Sequence, residues 1–355
     1  MATCLAEEQD QKVLIIEKRD HIGGNCYDFV DENGIRMNSY GAHLFHTNDE
    51  RVWKYVNRFS KWARWEHKVL GLVEGQYVPL PPNITTVNML CGQHISDQNE
   101  AEEWLSQVQV KHASIENSYQ MATSRVGIDL YEKIFKHYTY KQWGRYPDEL
   151  NADVLARIPV RNNFDDRYFT DKYQALPLDG YTKMFENILD HENIEVKLCC
   201  DFLDIASRYL NDSTIIYTGP IDEYFSSVGY EKLEYRSIQF HIQRIKNVRY
   251  YQPCSVVNYP GPDKPFTRIV EYKHFLNQES PHTTIVAEIS SSKGDPYYPV
   301  PNKKNTTLYE QYKLLAEKYK DIHFVGRLAN YKYFNMDQAI LNALQYYDSH
   351  FNESL

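Results

Sequence analysis

Lys12-Val13-Leu14-Ile15-Ile16-Glu17, followed by Lys18-Arg19-Asp20-His21-Ile22-Gly23-Gly24-Asn25, decides the fold. The first six residues form an apolar, β-branched run ending in an acid, the pattern of a buried parallel strand. The paired glycines lack a Cβ and let the backbone approach a ligand closely. Just upstream, Ala2 to Gln9 reads as the end of a helix. Helix, strand and terminal acid make the second half of a Rossmann βαβ unit, in which the acid accepts hydrogen bonds from a ribose. The first half, a strand and a Gly-x-Gly-x-x-Gly loop, is not found ahead of Ala2. In the usual layout it takes on the order of 15–20 residues. The expectation is a chain that begins inside the unit, through an interior start codon or a decayed gene.

Further along, Ser96 to Tyr138 has helical spacing of acidic and apolar positions, and Asn151 to Asn163 reads as a loop interrupted by Pro159. Glu195 to Leu198 and Thr214 to Gly219 are short strands suited to a return into the first domain. Glu234 to Phe240 and Thr283 to Ala287 read as antiparallel strands. His323 to Gly326 is a final strand, and a helix follows from about Met336 to Tyr347. The fold class is therefore α/β: a discontinuous Rossmann-like domain with a helical insertion and an antiparallel β-sheet domain. Residues 1–80 form the first part of the dinucleotide domain, incomplete at its start. Residues 81–160 are mainly helical, with a loop near 151–163. Residues 161–195 and 232–300 form the sheet domain. Residues 196–231 and 301–355 complete the dinucleotide domain.

Bulk properties exclude several classes. The net charge of −9 leaves no basic nucleic-acid footprint, although a local arginine cluster can still bind phosphate. No apolar run reaches the roughly 18 residues of a membrane span, and Met1 to Glu8 is no secretory signal. The six cysteines lack ligand spacing, so neither zinc nor a disulfide framework is expected. Reduced thiols in a cytoplasm are the simpler reading. The 30 tyrosines offer flat faces with polar tips, which does not by itself assign a role.

Five constellations carry chemistry. The strand, acid and Gly-Gly already quoted form the first. Gly41-Ala42-His43-Leu44-Phe45-His46-Thr47 holds two histidines three apart; with no third ligand nearby, a metal is not expected. Tyr138-Thr139-Tyr140-Lys141-Gln142-Trp143-Gly144 reads equally as core or as a wall on which a base stacks. Arg157, Arg161, Arg236, Arg268 and Arg327 lie beside apolar or aromatic residues, where a planar fork often binds carboxylate or phosphate. Finally, Gly326-Arg327-Leu328-Ala329-Asn330-Tyr331-Lys332-Tyr333-Phe334-Asn335-Met336-Asp337-Gln338-Ala339 leads a strand through glycine into a helix, whose N-terminus can hold an anionic or carbonyl edge. No Ser-His-Asp arrangement is apparent, so hard chemistry would belong to a cofactor.

Taken in order, these segments resemble the prokaryotic UDP-galactopyranose mutase family. So do Arg157-Ile158-Pro159-Val160-Arg161, Tyr217-Thr218-Gly219-Pro220, Thr267-Arg268-Ile269 and Pro296-Tyr297-Tyr298-Pro299. The resemblance implies an isomerase that interconverts UDP-galactopyranose and UDP-galactofuranose through covalent attack of reduced FAD N5 on the sugar C1. It implies Arg157, Arg268 and His46 as catalytic residues, with the loop near 151–163 as a mobile lid. For the substrate it implies Tyr138, Thr139, Trp143, Arg157, Tyr168, Phe169, Arg236, Arg268, Tyr298 and Tyr333. For FAD it implies Glu17, Lys18, Gly24, Asn25, Ala42, His43, His46, Thr218, Arg327, Phe334, Asn335, Met336, Asp337, Gln338 and Ala339. Asn335 stands where many members have Asp, which keeps the hydrogen bonding and loses a charge. A cytoplasmic homodimer supplying a galactofuranose glycan of cell wall or lipopolysaccharide is the family expectation. Two other readings stay open: a UDP-sugar-binding pseudoenzyme without FAD, and a redox flavoenzyme of the amine-oxidase type.

Overall fold

The computed structural model describes residues 1–210 and 212–352. The chain runs through α1 (Ala2–Gln9), β1 (Val13–Ile16), β2 (Asp28–Val30), β3 (Arg36–Asn38), β4 (Phe45–Thr47), α2 (Glu50–Val56), β5 (Trp62–Arg64), β6 (Val69–Val73) and β7 (Gln76–Leu80). A helical block follows: α3 (Ile84–Cys91), α4 (Gln98–Val108), α5 (Ser118–Leu130), a π-helical stretch over Tyr131–Lys136, α6 (His137–Trp143) and α7 (Asp153–Ala156). Next come β8 (Tyr173–Pro177), α8 (Gly180–Leu189), β9 (Ile194–Lys197), α9 (Phe202–Ile205), β10 (Ile215–Tyr217) and α10 (Ile221–Tyr224). The last third holds β11 (Tyr235–Ile245), β12 (Val256–Asn258), β13 (Arg268–Glu271), β14 (Thr283–Ser291), β15 (Tyr298–Pro299), α11 (Lys303–Ala316), β16 (Ile322–Phe324) and α12 (Met336–His350).

Two parallel pairs carry the Rossmann-like part. β1 pairs with β9, and β10 with β16. The β-branched run Val13 to Ile16 forms a strand as expected, but all four residues remain partly exposed rather than buried. The reason is local: among the described residues β1 is paired only with β9, in a two-stranded sheet.

A mixed seven-stranded sheet in the order β15-β11-β14-β13-β12-β6-β7 forms the larger platform. Only the β12–β6 contact is parallel. One face of it shares a continuous apolar core with the helical block, running from Val69, Val78 and Leu80 to Leu130, Phe135, Val256, Val270 and Val286. Helix starts are fixed by local chemistry. Asn83 and Thr86 form a reciprocal capping box at α3, and Asn335 and Gln338 do so at α12, each satisfying backbone donors that a helix start leaves free.

The domain boundaries differ from the sequence expectation in three places. Residues 69–80 belong to the seven-stranded sheet, because β6 lies parallel to β12 from nearly two hundred residues later. Residues 161–195 do not join that sheet: β8 pairs with β4 and β5, and β9 with β1. The stretch 151–163 is not all loop, since Val154 and Leu155 bury their side chains in the helical core and α7 forms around them.

Candidate active site

Where β13 begins, Arg268 stands directly opposite Glu288 of β14 in the strand register. Its Nε lies 3.5 Å from the Glu288 carboxylate, and its Nη2 donates to the Tyr138 hydroxyl at 2.8 Å. Glu288 is almost wholly buried. Burial pushes its carboxyl up, and the Arg268 charge opposes that shift. Tyr138 comes from α6, which also supplies Thr139 and Trp143, both buried. Trp143 meets Tyr298 at a ring-centroid distance of 6.2 Å, and Tyr298 stacks on Tyr333 at 5.4 Å with an interplanar angle of 16°.

Two further guanidinium groups close on this tyrosine pair. Arg157 lies 4.1 Å above the Tyr333 ring; Arg327 lies 4.4 Å from Tyr333 and 5.1 Å from Tyr298. Among the described residues neither arginine has a carboxylate partner. Burial alone would raise the Tyr333 phenol, but Arg157, Arg327 and Arg268 outweigh it and bring the group down to about 8. Three cations against the single Glu288 make this a site built for an anion.

Other predicted substrate residues support this cluster from its edges. Tyr168 packs edge-on to Phe169 at 5.0 Å, and Phe169 stacks on His46 at 3.7 Å. Arg236 does not face the cluster as a free charge: its Nε donates to the Gln142 carbonyl at 3.0 Å, tying down the end of α6. Among the described residues, Lys141 on the same helix has no carboxylate paired with its Nζ. That ammonium instead donates to the carbonyls of Tyr259, Gly261 (2.7 Å), Lys264 (3.2 Å) and Phe266 (3.1 Å), which fixes the loop just before Arg268.

The residues expected around the cofactor fall into two groups. Around the start of α12, Arg327 Nη1 donates to the Phe334 carbonyl at 3.0 Å, and Met336 sulfur lies 3.6 Å from Cys26 Sγ. Ala339 N–H donates to Asn335 O within the first turn. His43 sits nearby, with Nδ1 2.8 Å from the Gly41 carbonyl; since a carbonyl only accepts, Nδ1 carries the proton. Burial brings His43 down to about 4, with Arg327 adding to the effect, so the ring is neutral. Ala42 packs against the main core. At the other end, beyond β1, Glu17 accepts from the Arg19 N–H at 2.9 Å and Asn25 accepts from Arg19 Nη1 at 2.9 Å. Lys18 and Thr218 are exposed.

Sequence reasoning missed several partners. Asp171 holds His46 Nδ1 at 3.0 Å and takes Asn48 Nδ2 on its other oxygen at 2.9 Å. His67 is buried beside Tyr168 and Phe169, with Nδ1 unpartnered, and burial together with Arg268 pushes it down to about 3. Arg19 lies 4.2 Å over Tyr40. Glu288 had a signal: a lone acid in the strand Ile285-Val286-Ala287-Glu288-Ile289, on the same parity as buried Val286.

Parallel pairs, a terminal acid and an arginine-ringed aromatic site beside a helix start define a dinucleotide-dependent enzyme of the Rossmann-like flavoprotein class. A family model described as an NAD(P)-binding Rossmann-like domain matches residues 1–59. The crystal structure of reduced UDP-galactopyranose mutase superimposes with a TM-score of 0.75 at 17% identity, over 98% of this chain and 91% of that one, which shows a shared fold. The chain belongs to the UDP-galactopyranose mutase family, whose model matches residues 133–333. The probable UDP-galactopyranose mutase of Klebsiella pneumoniae is 40% identical over 344 residues, covering 95% of this chain and 88% of that protein. The dTDP-fucopyranose mutase of Escherichia coli is 37% identical over 358 residues, covering 97% and 93%.

Fold and family assign FAD as the cofactor. Features of this chain fit it. Arg327 Nε and Asp337 Oδ1 are buried without a hydrogen-bond partner at the start of α12, and buried polar atoms normally have one. At Gly24 and Gly326, both in the left-handed region, a Cβ would meet nothing within 4 Å, so backbone there faces open space.

Proposed function

We propose that this chain interconverts UDP-galactopyranose and UDP-galactofuranose. The observation that carries the reading is the convergence of Arg157, Arg268 and Arg327 on the Tyr298–Tyr333 pair, with Glu288 as the one carboxylate paired with any of them among the described residues. A nucleoside diphosphate carries the charge that such a ring lacks. Arg157 and Arg268 bind the diphosphate and neutralise it as it departs, so they act on rate as well as affinity. Tyr138, Thr139, Trp143, Tyr168 and Phe169 supply flat faces and hydroxyls for the base, and Tyr298 and Tyr333 reach the diphosphate and sugar. Arg236 supports α6 from behind. Glu17, Lys18, Gly24, Asn25 and Thr218 hold the adenosine end of FAD; Ala42, His43, His46, Arg327 and residues 334–339 hold its ring end. When bound, reduced FAD supplies a nucleophilic nitrogen for covalent catalysis.

A dTDP-sugar is the second reading, because a relative of nearly equal identity is a dTDP-fucopyranose mutase. The test is to incubate the purified chain with excess FAD, desalt it, record the visible spectrum, and assay the dithionite-reduced protein with both nucleotide sugars. Retained flavin and turnover of the UDP-galactose pair are expected. Turnover of the dTDP-sugar alone reassigns the substrate, and a colourless, inactive protein sinks the enzyme reading. A cytoplasmic homodimer is part of the same reading; light scattering reads its mass.

A further inference from the structure

Arg157 is the most exposed of the three cations, yet its position is defined, and the reason lies on α5. Arg125 directs one nitrogen, Nη1, at three backbone carbonyls: Leu155 (3.2 Å), Ala156 (3.1 Å) and Ile158 (2.7 Å). These carbonyls flank Arg157 on both sides. They lie at the end of a short helix, where a cation is favoured; Leu155 also accepts from the Ile158 N–H at 3.2 Å. Arg125 is partly buried, and among the described residues it has no carboxylate partner; burial lowers its guanidinium and no opposite charge offsets it. A desolvated cation spent wholly on the backbone of one segment is a costly arrangement unless the position of that segment matters. Arg157 lies between these carbonyls in the chain, and its guanidinium reaches the Tyr333 ring.

The segment has few other fixings. Val154 and Leu155 bury their side chains. Downstream, Arg161 N–H donates to the Pro82 carbonyl at 3.0 Å. Between these, Arg157 itself is exposed and Arg125 is the polar contact that spans it. Close to Arg125, Gly127 breaks the helical geometry of α5 with φ of 75°, and a Cβ there would meet the Val108 carbonyl at 2.6 Å, so this part of α5 is packed tightly onto the end of α4.

We propose that Arg125 is a positioning residue that holds Arg157 over Tyr333 and thereby sets the affinity of the site for the diphosphate of its nucleotide ligand. This rests on the reading of Arg157 as a diphosphate contact. The test is a double-mutant cycle read by calorimetric titration with UDP, on the full chain with FAD added: wild type, Arg125→Gln, Arg157→Ala and the double variant. Arg157→Ala is expected to raise the Kd about 30-fold and Arg125→Gln about 5- to 10-fold. The double variant is expected to match Arg157→Ala alone, since Arg125 acts only through Arg157. If Arg125→Gln weakens UDP by the same factor in both backgrounds, or by none in the wild-type background, the inference is overturned while the diphosphate reading stands. An unchanged Kd in Arg157→Ala overturns that reading and the inference with it. Should the glutamine variant melt below the titration temperature, Arg125→Met carries the same cycle, because methionine keeps the aliphatic stem and has no donor for the three carbonyls. A loss confined to the wild-type background supports the proposal, and an equal loss in both backgrounds overturns it.

Discussion

Arg268 and Arg157 face the same tyrosines from opposite kinds of scaffold. Arg268 opens a strand inside a seven-stranded sheet, with Glu288 across the ladder and Tyr138 on its outer nitrogen. Arg157 ends a four-residue helix, is exposed, and meets the ring and hydroxyl of Tyr333. The first charge is built in with its counter-charge; the second is brought in on a segment that can give way. A site that must both grip a diphosphate and let it leave can use one of each, with affinity tuned on the looser arm.

The contrast breaks most easily at Arg268. Arg268→Ala is expected to lower turnover about 10²- to 10³-fold, as removal of a preorganised electrostatic partner does, and to destabilise the fold by about 3 kcal/mol by leaving Glu288 buried and alone. Arg157→Ala should lower turnover on a similar scale but shift stability by no more than about 0.5 kcal/mol, the range of surface changes. Equal melting losses in the two variants would show that both charges are structural and erase the distinction.

A smaller effect sharpens the role of the counter-charge. Glu288→Gln keeps the volume but frees the Arg268 charge. The expectation is tighter UDP binding together with a turnover lowered about 10-fold, because product leaves more slowly; unchanged affinity would mean that Glu288 does not set the charge that the ligand meets.

The smallest effect is in pH. The Tyr333 phenol is brought down to about 8 in the free site. Its ionisation would cancel one arginine charge and repel a diphosphate, so the bound state prefers the protonated phenol. Binding above that point therefore takes up a proton, and the Kd for UDP should climb as pH rises through about 8, by up to about tenfold per unit. Tyr333→Phe should flatten this rise. A slope that survives in the phenylalanine variant assigns the titration to another group.

Much of this was legible in one dimension. The β-branched run to Glu17, the strand-to-helix passage from Gly326 to Asn335, and the β-branched run Thr283 to Ala287 are local patterns, and local patterns set local structure. Arginines set among apolar residues were also legible, which is why Arg157, Arg268 and Arg327 could be named before their geometry was known. What was hidden depends on pairing across distance. That β6 would lie beside β12 has no local sign, so residues 69–80 were assigned to the wrong sheet. Asp171, His67 and Arg125 look like ordinary polar residues until folding sets them against His46, Tyr168 and the end of α7. Arg236 was also named from its flanks, and folding adds a contact they do not announce: its Nε donates to the Gln142 carbonyl.

Lys141 adds a last consequence. Several carbonyl oxygens turned inward around one positive centre is the coordination by which proteins hold potassium or sodium. Here the ion is tethered by four methylenes to the helix that carries Tyr138 and Trp143. A free alkali ion in that ring would come and go with the salt around it, and the loop ahead of Arg268 would order and loosen in step. A tethered one cannot diffuse away. The wall for the base and the approach to the fixed arginine are thereby locked to each other at any ionic strength, leaving salt to act only on the exposed arm that carries Arg157.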